Sequence, residues 1–112
     1  VRGNTMPKIV DLLRRGGATA IHLRISAPPI AHTCHFGIDI SDEKSLIANR
    51  MTVDEIRREI GADTFGYLSI DSLRKTAEGC HIGLCDGCFT KQFAAEVPTT
   101  FFVDKYATKI HK

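Results

Sequence analysis

Thr5-Met6-Pro7-Lys8-Ile9-Val10-Asp11-Leu12-Leu13-Arg14-Arg15-Gly16-Gly17, followed closely by Ala20-Ile21-His22-Leu23-Arg24-Ile25-Ser26, is the stretch whose reading decides the fold. Thr5 is a capping residue type, Pro7 is tolerated in a first helical turn, and the paired glycines stop a helix. Ile9, Val10, Leu12 and Leu13 give that predicted helix an apolar face. In the second run apolar residues alternate and are partly β-branched, which predicts a strand. A loop, a helix and then a strand make half of a βαβ unit, whose first strand would precede the loop. The expected fold class is α/β.

Downstream, Pro28-Pro29 stop the strand and open a loop through Ile30 to Ile40. A short helix is expected over Ser41 to Asn49. Thr52-Val53-Asp54-Glu55 has the spacing of a capping box, with Thr52 as cap and Glu55 reaching back. Val53, Ile56 and Ile60 then share one helical face, and Gly61 ends the helix. Thr64 to Leu68 reads as a short strand. Ser69 caps a further helix carrying Ile70, Leu73 and Ala77, and Gly79 to Cys88 is an irregular, cysteine-bearing loop. Phe93, Pro98, Phe101, Phe102 and Tyr106 mark an extended tail with room for a short strand.

With 112 residues the chain is sized for one small domain with a thin core. A net charge of +2 is too mild to argue for nucleic acid, and no basic stripe interleaves with aromatics. No apolar run approaches a membrane span. The opening Val1-Arg2-Gly3-Asn4-Thr5 has no starting methionine, signal or amphipathic leader, and reads as part of a longer chain.

Two places carry chemistry. Residues 1–5 run into a predicted helix start, where backbone N–H groups lack partners and the helix dipole favours an anion. Gly3 permits close backbone approach, Thr5 offers a hydroxyl and Arg2 a charge, so the segment can cradle a phosphate. The plainer alternative is an ordinary capped helix. Cys85 and Cys88 form a C-x-x-C turn, flexible at Gly83 and Gly87, that lets two thiolates face one metal. Cys34, Cys80, His35 and His81 are further donors. From composition alone zinc ranks above an iron–sulfur cluster, and free thiols in a plain structural module stay open. Cys80 is expected to be a small, partly buried hydrophobe. His32 and His35 are read as shaping the Cys34 loop, and Asp39 and Asp63 as turn residues. His22 and His111 are assigned no role. No catalytic acid, base or Ser-His-Asp arrangement is visible.

Val1-Arg2-Gly3-Asn4-Thr5 resembles the end of the phosphoribosylpyrophosphate (PRPP) motif of amidophosphoribosyltransferases, Ser-Ile-Val-Arg-Gly-Thr-Thr, with asparagine at position 4 where threonine is usual. The resemblance continues in order through Ser26-Ala27-Pro28-Pro29-Ile30, Gly37-Ile38-Asp39, Val53-Asp54-Glu55-Ile56-Arg57, Ile60-Gly61-Ala62-Asp63, Tyr67-Leu68-Ser69 and Cys85-Asp86-Gly87-Cys88-Phe89. It covers roughly residues 1–90 and leaves the tail unassigned.

The resemblance implies the C-terminal part of a type I phosphoribosyltransferase-like parallel sheet with flanking helices. Residues 1–112 would be a fragment of that domain, with 1–5 as the end of the PRPP loop and 80–88 as the cysteine loop. It implies an enzyme that makes 5-phosphoribosylamine from PRPP and glutamine in the first step of purine biosynthesis, using magnesium. It further implies a cytoplasmic, homo-oligomeric parent and an inactive isolated fragment. Arg2, Gly3, Asn4 and Thr5 would hold the 5-phosphate. Similarity to the cluster-bearing branch of the family makes Cys34, Cys85 and Cys88 three of the four ligands of a 4Fe-4S cluster, with the fourth upstream, and so reverses the ranking of zinc.

Overall fold

The computed structural model of the chain describes residues 1–40 and 42–97. Its elements are α1 (Met6–Arg15), β1 (His22–Ile25), a 3-10 turn (Glu43–Ser45), α2 (Ile47–Arg50), α3 (Val53–Ile60), β2 (Thr64–Tyr67), α4 (Ile70–Lys75) and α5 (Gly87–Thr90). The two strands pair in parallel, His22 opposite Thr64 through Ile25 opposite Tyr67. A parallel pair cannot be closed by a hairpin, and the chain between β1 and β2 carries α2 and α3 as its crossover. The α/β class expected from the sequence is the observed one.

The pleat gives the sheet two unlike faces. Leu23, Phe65 and Tyr67 pack against a core of Val10 from α1, Ile47 from α2, Ile56 and Ile60 from α3, and Ile21 and Ala62, which lie just before β1 and just after α3. Phe65 and Tyr67 meet edge to face, with ring centroids 5.0 Å apart. On the other face Thr64 Oγ1 lies 2.9 Å from His22 Nδ1 and accepts from Arg24 at the same distance. Asp63 joins the layers. Its Oδ2 accepts from the Ile21 N–H and from Arg14 of α1, each at 2.7 Å. The Ile21 N–H lowers the carboxyl's pKa most, and Arg14 adds to it.

The helix ends follow local chemistry. Thr52 Oγ1 accepts from the Glu55 N–H while Glu55 Oε2 accepts from the Thr52 N–H, so the capping box is complete. Gly61 takes the left-handed conformation, φ +79°, that ends α3. Ser69 caps α4 through the Ser72 N–H.

Several expectations are corrected. Thr5 is itself helical in backbone conformation and makes no side-chain cap. Of the four apolar positions foreseen on α1, only Val10 is buried. Leu12 and Leu13 are 65% and 46% exposed, because the helix turns its Met6–Val10 stripe to the core. Val53, at the first position of α3, is also exposed. The helix expected over Ser41 to Asn49 is instead a 3-10 turn capped by Asp42, then the four-residue α2. Ala77 lies beyond the end of α4. The strand foreseen in the tail, with Pro98, Phe101, Phe102 and Tyr106, lies outside the described residues.

Candidate functional site

Residues 1–5 reach α1 along one wall of a cleft of about 550 Å³. Val1, Arg2, Gly3, Asn4, Thr5 and Met6 form that wall, and Ile30, Ile38, Asp39 and Ile40 supply the rest of the lining. Gly3 sits at φ +86°, a conformation that favours glycine. A Cβ there would come within 2.5 Å of Ile47 Cδ1, so the backbone lies directly on the core. The Ile47 N–H donates to the Val1 carbonyl at 3.0 Å and fixes the start of the loop. With no side-chain cap and no acidic residue in the first turn of α1, the helix start keeps its positive character. Arg2, Gly3, Asn4 and Thr5, the four residues expected to hold a phosphate, all line this cleft. Asp39, read from sequence as a turn residue, lines the same cleft. Its spacing carried no signal of that, because the loop that delivers it is irregular.

The cysteines occupy the other end of the same loop system. All four are free thiols. Cys34 and Cys88 are half-buried, Cys80 and Cys85 exposed. The exposure of Cys80 departs from the partly buried position foreseen for it. The Cys88 carbonyl accepts the N–H groups of Ala31 and His32, both at 3.0 Å, which docks the Cys34 loop onto the C-x-x-C segment. Phe93 closes the joint. Its ring packs on Gly87 and meets His35 and Phe36 edge-on at 5.0 and 6.0 Å. His32 Nδ1 lies 3.5 Å from Glu43 Oε1, which also accepts from the Thr33 N–H. Burial pushes the Cys88 thiol's pKa up, and the neighbouring thiols of Cys34 and Cys85 push it further.

Asp86, between the paired cysteines, is buried and takes two hydrogen bonds from Arg74 of α4, at 2.9 and 2.7 Å. Thr90 Oγ1 donates to it as well. Arg74 lowers the Asp86 carboxyl's pKa most, with Thr90 adding to it. With the carboxylate so engaged, sulfur is the donor chemistry left in the turn. Among the described residues no three Cys, His, Asp or Glu side chains form a group that would hold a single metal ion. A tetrahedral zinc site needs its sulfurs within about 3.8 Å of one another, from a Zn–S bond of about 2.3 Å. A multinuclear cluster spreads its thiolates more widely and takes cysteine sulfur as its ordinary ligand. Cys34, Cys85 and Cys88 match such a group in donor type.

Over 101 residues the chain is 46% identical to amidophosphoribosyltransferase of Bacillus subtilis (strain 168), covering 87% of this chain and 21% of that protein. It is 45% identical over 93 residues to the chloroplastic amidophosphoribosyltransferase 2 of Arabidopsis thaliana, covering 83% of this chain and 17% of that one. The solved glutamine PRPP amidotransferase from B. subtilis, complexed with ADP and GMP, superposes with a TM-score of 0.77 at 44% identity. That match covers 89% of this chain and 23% of the solved one. The chain belongs to the amidophosphoribosyltransferase family.

No family model matches it. The chain spans about a fifth of the length of these amidophosphoribosyltransferases. Among the described residues no helix is long and apolar enough to cross a membrane.

Proposed function

We propose that the chain is the part of an amidophosphoribosyltransferase that grips the 5-phosphate of PRPP. In that reading Arg2 supplies charge, Gly3 and Asn4 supply close backbone, and Thr5 supplies a hydroxyl at the start of α1. The observation that carries it is the cleft, with a left-handed Gly3 and an uncapped helix start on one wall. These groups bind and orient the sugar phosphate, so that its anomeric carbon is held for attack by ammonia taken from glutamine. Magnesium, when bound through residues outside this chain, would supply positive charge to the departing pyrophosphate. Proton transfers and the release of ammonia from glutamine belong to residues outside this chain, so the isolated 112 residues are inactive.

Cys34, Cys85 and Cys88 supply three ligands of a 4Fe-4S cluster whose fourth cysteine lies outside these residues. When bound, the cluster contributes a structural cross-link between the Cys34 loop and the C-x-x-C turn. Supporting this are the sulfur donor set, the docking of Ala31 and His32 on the Cys88 carbonyl, and the engagement of Asp86 by Arg74.

The test is PRPP binding by the intact enzyme with and without Arg2→Ala. Loss of a charge-assisted phosphate contact weakens binding by about tenfold or more. Equal affinity in the variant refutes the assignment.

A further inference from the structure

Both walls of the cleft rest on α2, although that helix has only four residues. The Arg2–Thr5 wall is carried by Ile47, through its N–H on the Val1 carbonyl and its side chain beneath Gly3. The other wall is reached through Asn49. Its Nδ2 donates to the Ala31 carbonyl at 2.8 Å and to the Glu43 carbonyl at 3.0 Å, so both amide hydrogens are used. Glu43 in turn accepts from the Thr33 N–H at 3.1 Å. Ala31 follows Ile30, which lines the cleft, and its own N–H is held by the Cys88 carbonyl. One short segment, residues 43–50, therefore stitches the start of the facing loop to the segment that carries the phosphate wall.

We propose that Asn49 is a positioning residue of the sugar-phosphate cleft. It does not touch the ligand. It ties the Ile30–Ile40 wall to α2 and so sets the separation of the two walls before PRPP arrives. Pre-organised walls spare the ligand the cost of ordering them, and a loop released from Asn49 returns that cost to binding. Asparagine suits the task because one side-chain nitrogen reaches two carbonyls. Alanine removes both donors, and serine is too short to serve both. The exposed side chain buries little, so its replacement leaves the core intact. This inference rests on the reading of the cleft as the PRPP site.

The experiment measures PRPP affinity by calorimetry, KM and kcat, and thermal midpoint in the intact enzyme, for the wild type, Asn49→Ala, Asn49→Ser and Arg2→Ala. The expected result is a roughly fivefold or greater loss of PRPP affinity in both Asn49 variants, the equivalent of one neutral hydrogen bond. KM rises with it while kcat holds. A lowered midpoint with affinity within about twofold of wild type would mean that Asn49 only stabilises the fold, and would overturn the proposal. Arg2→Ala separates the two ideas. If it leaves PRPP affinity unchanged, the cleft is not the phosphate site and the positioning role falls with it. If it weakens binding while the Asn49 variants do not, the site stands and the positioning role alone is lost.

Discussion

Gly3→Ala paired with Ile47→Val measures how tightly the phosphate wall is seated on the core. Alanine at position 3 carries two separate costs. The backbone is at φ +86°, and holding an L-residue in the left-handed region costs about 1–2 kcal/mol. The added methyl also meets Ile47 Cδ1 at 2.5 Å, and overpacking a buried site costs about 1–3 kcal/mol. Gly3→Ala alone therefore destabilises by about 2–5 kcal/mol. Ile47→Val alone deletes that Cδ1 and costs about 0.5–1.5 kcal/mol as a buried methyl. In the double variant the next Ile47 atoms stand at 3.5 and 3.7 Å, ordinary contact. The steric share vanishes and the dihedral share stays. Urea denaturation of the four proteins should give a favourable coupling of about 1–3 kcal/mol between the two sites. Strict additivity would refute the close seating of Gly3 on Ile47, and with it the claim that the core sets the position of the phosphate wall.

Three further outcomes are expected. Thr52→Ala breaks the capping box of α3 and should cost about 1 kcal/mol, seen as a thermal midpoint lower by roughly 4–8 °C; an unchanged midpoint would show the box to be idle. Asp63 has its pKa held below the ordinary aspartate value by the Ile21 N–H and then by Arg14, so its contribution is full above the ordinary aspartate range and fades as pH falls through the depressed value. Asp63→Asn should lower the urea midpoint at neutral pH and flatten its acid dependence, whereas an acid limb as steep as wild type would count against the assignment. After reconstitution of the intact enzyme with iron and sulfide, Cys34→Ser, Cys85→Ser and Cys88→Ser should each lose iron and visible absorbance while Cys80→Ser keeps both; colourless protein with one zinc, or equal loss in Cys80→Ser, would overturn the ligand set.

Much of the local structure was legible because its determinants lie within one turn of one another. Thr52 and Glu55 are three residues apart, so their reciprocal bonds can be read from spacing. Gly61 marks a helix end because the conformation needed there favours glycine. The alternation in Ala20–Ser26 announced β1, while its position after a helix pointed to a strand before residue 1 as partner rather than to the β2 it pairs with here. The order of motifs from Val1-Arg2-Gly3 to Cys85-Asp86-Gly87-Cys88 carried the family, since those residue types follow one another in the chain itself.

What only the tertiary structure decided is which distant segments meet. Spacing along α1 marks Leu12 and Leu13 as apolar, but their exposure depends on how much sheet stands beside the helix. The placement of Asp39 in the cleft lined by Arg2, of Ile47 under Gly3, of Ala31 and His32 on the Cys88 carbonyl, and of Arg74 on Asp86 has no local signature. These contacts arise where irregular loops are fixed by side chains far along the chain. Sequence alone specified the elements and the chemistry they carry, because short-range hydrogen bonding and hydrophobic period are written residue by residue. The walls of the cleft and the docking of the Cys34 loop on the Cys88 carbonyl were settled by packing, because a loop without periodic hydrogen bonds takes its path from what it rests on.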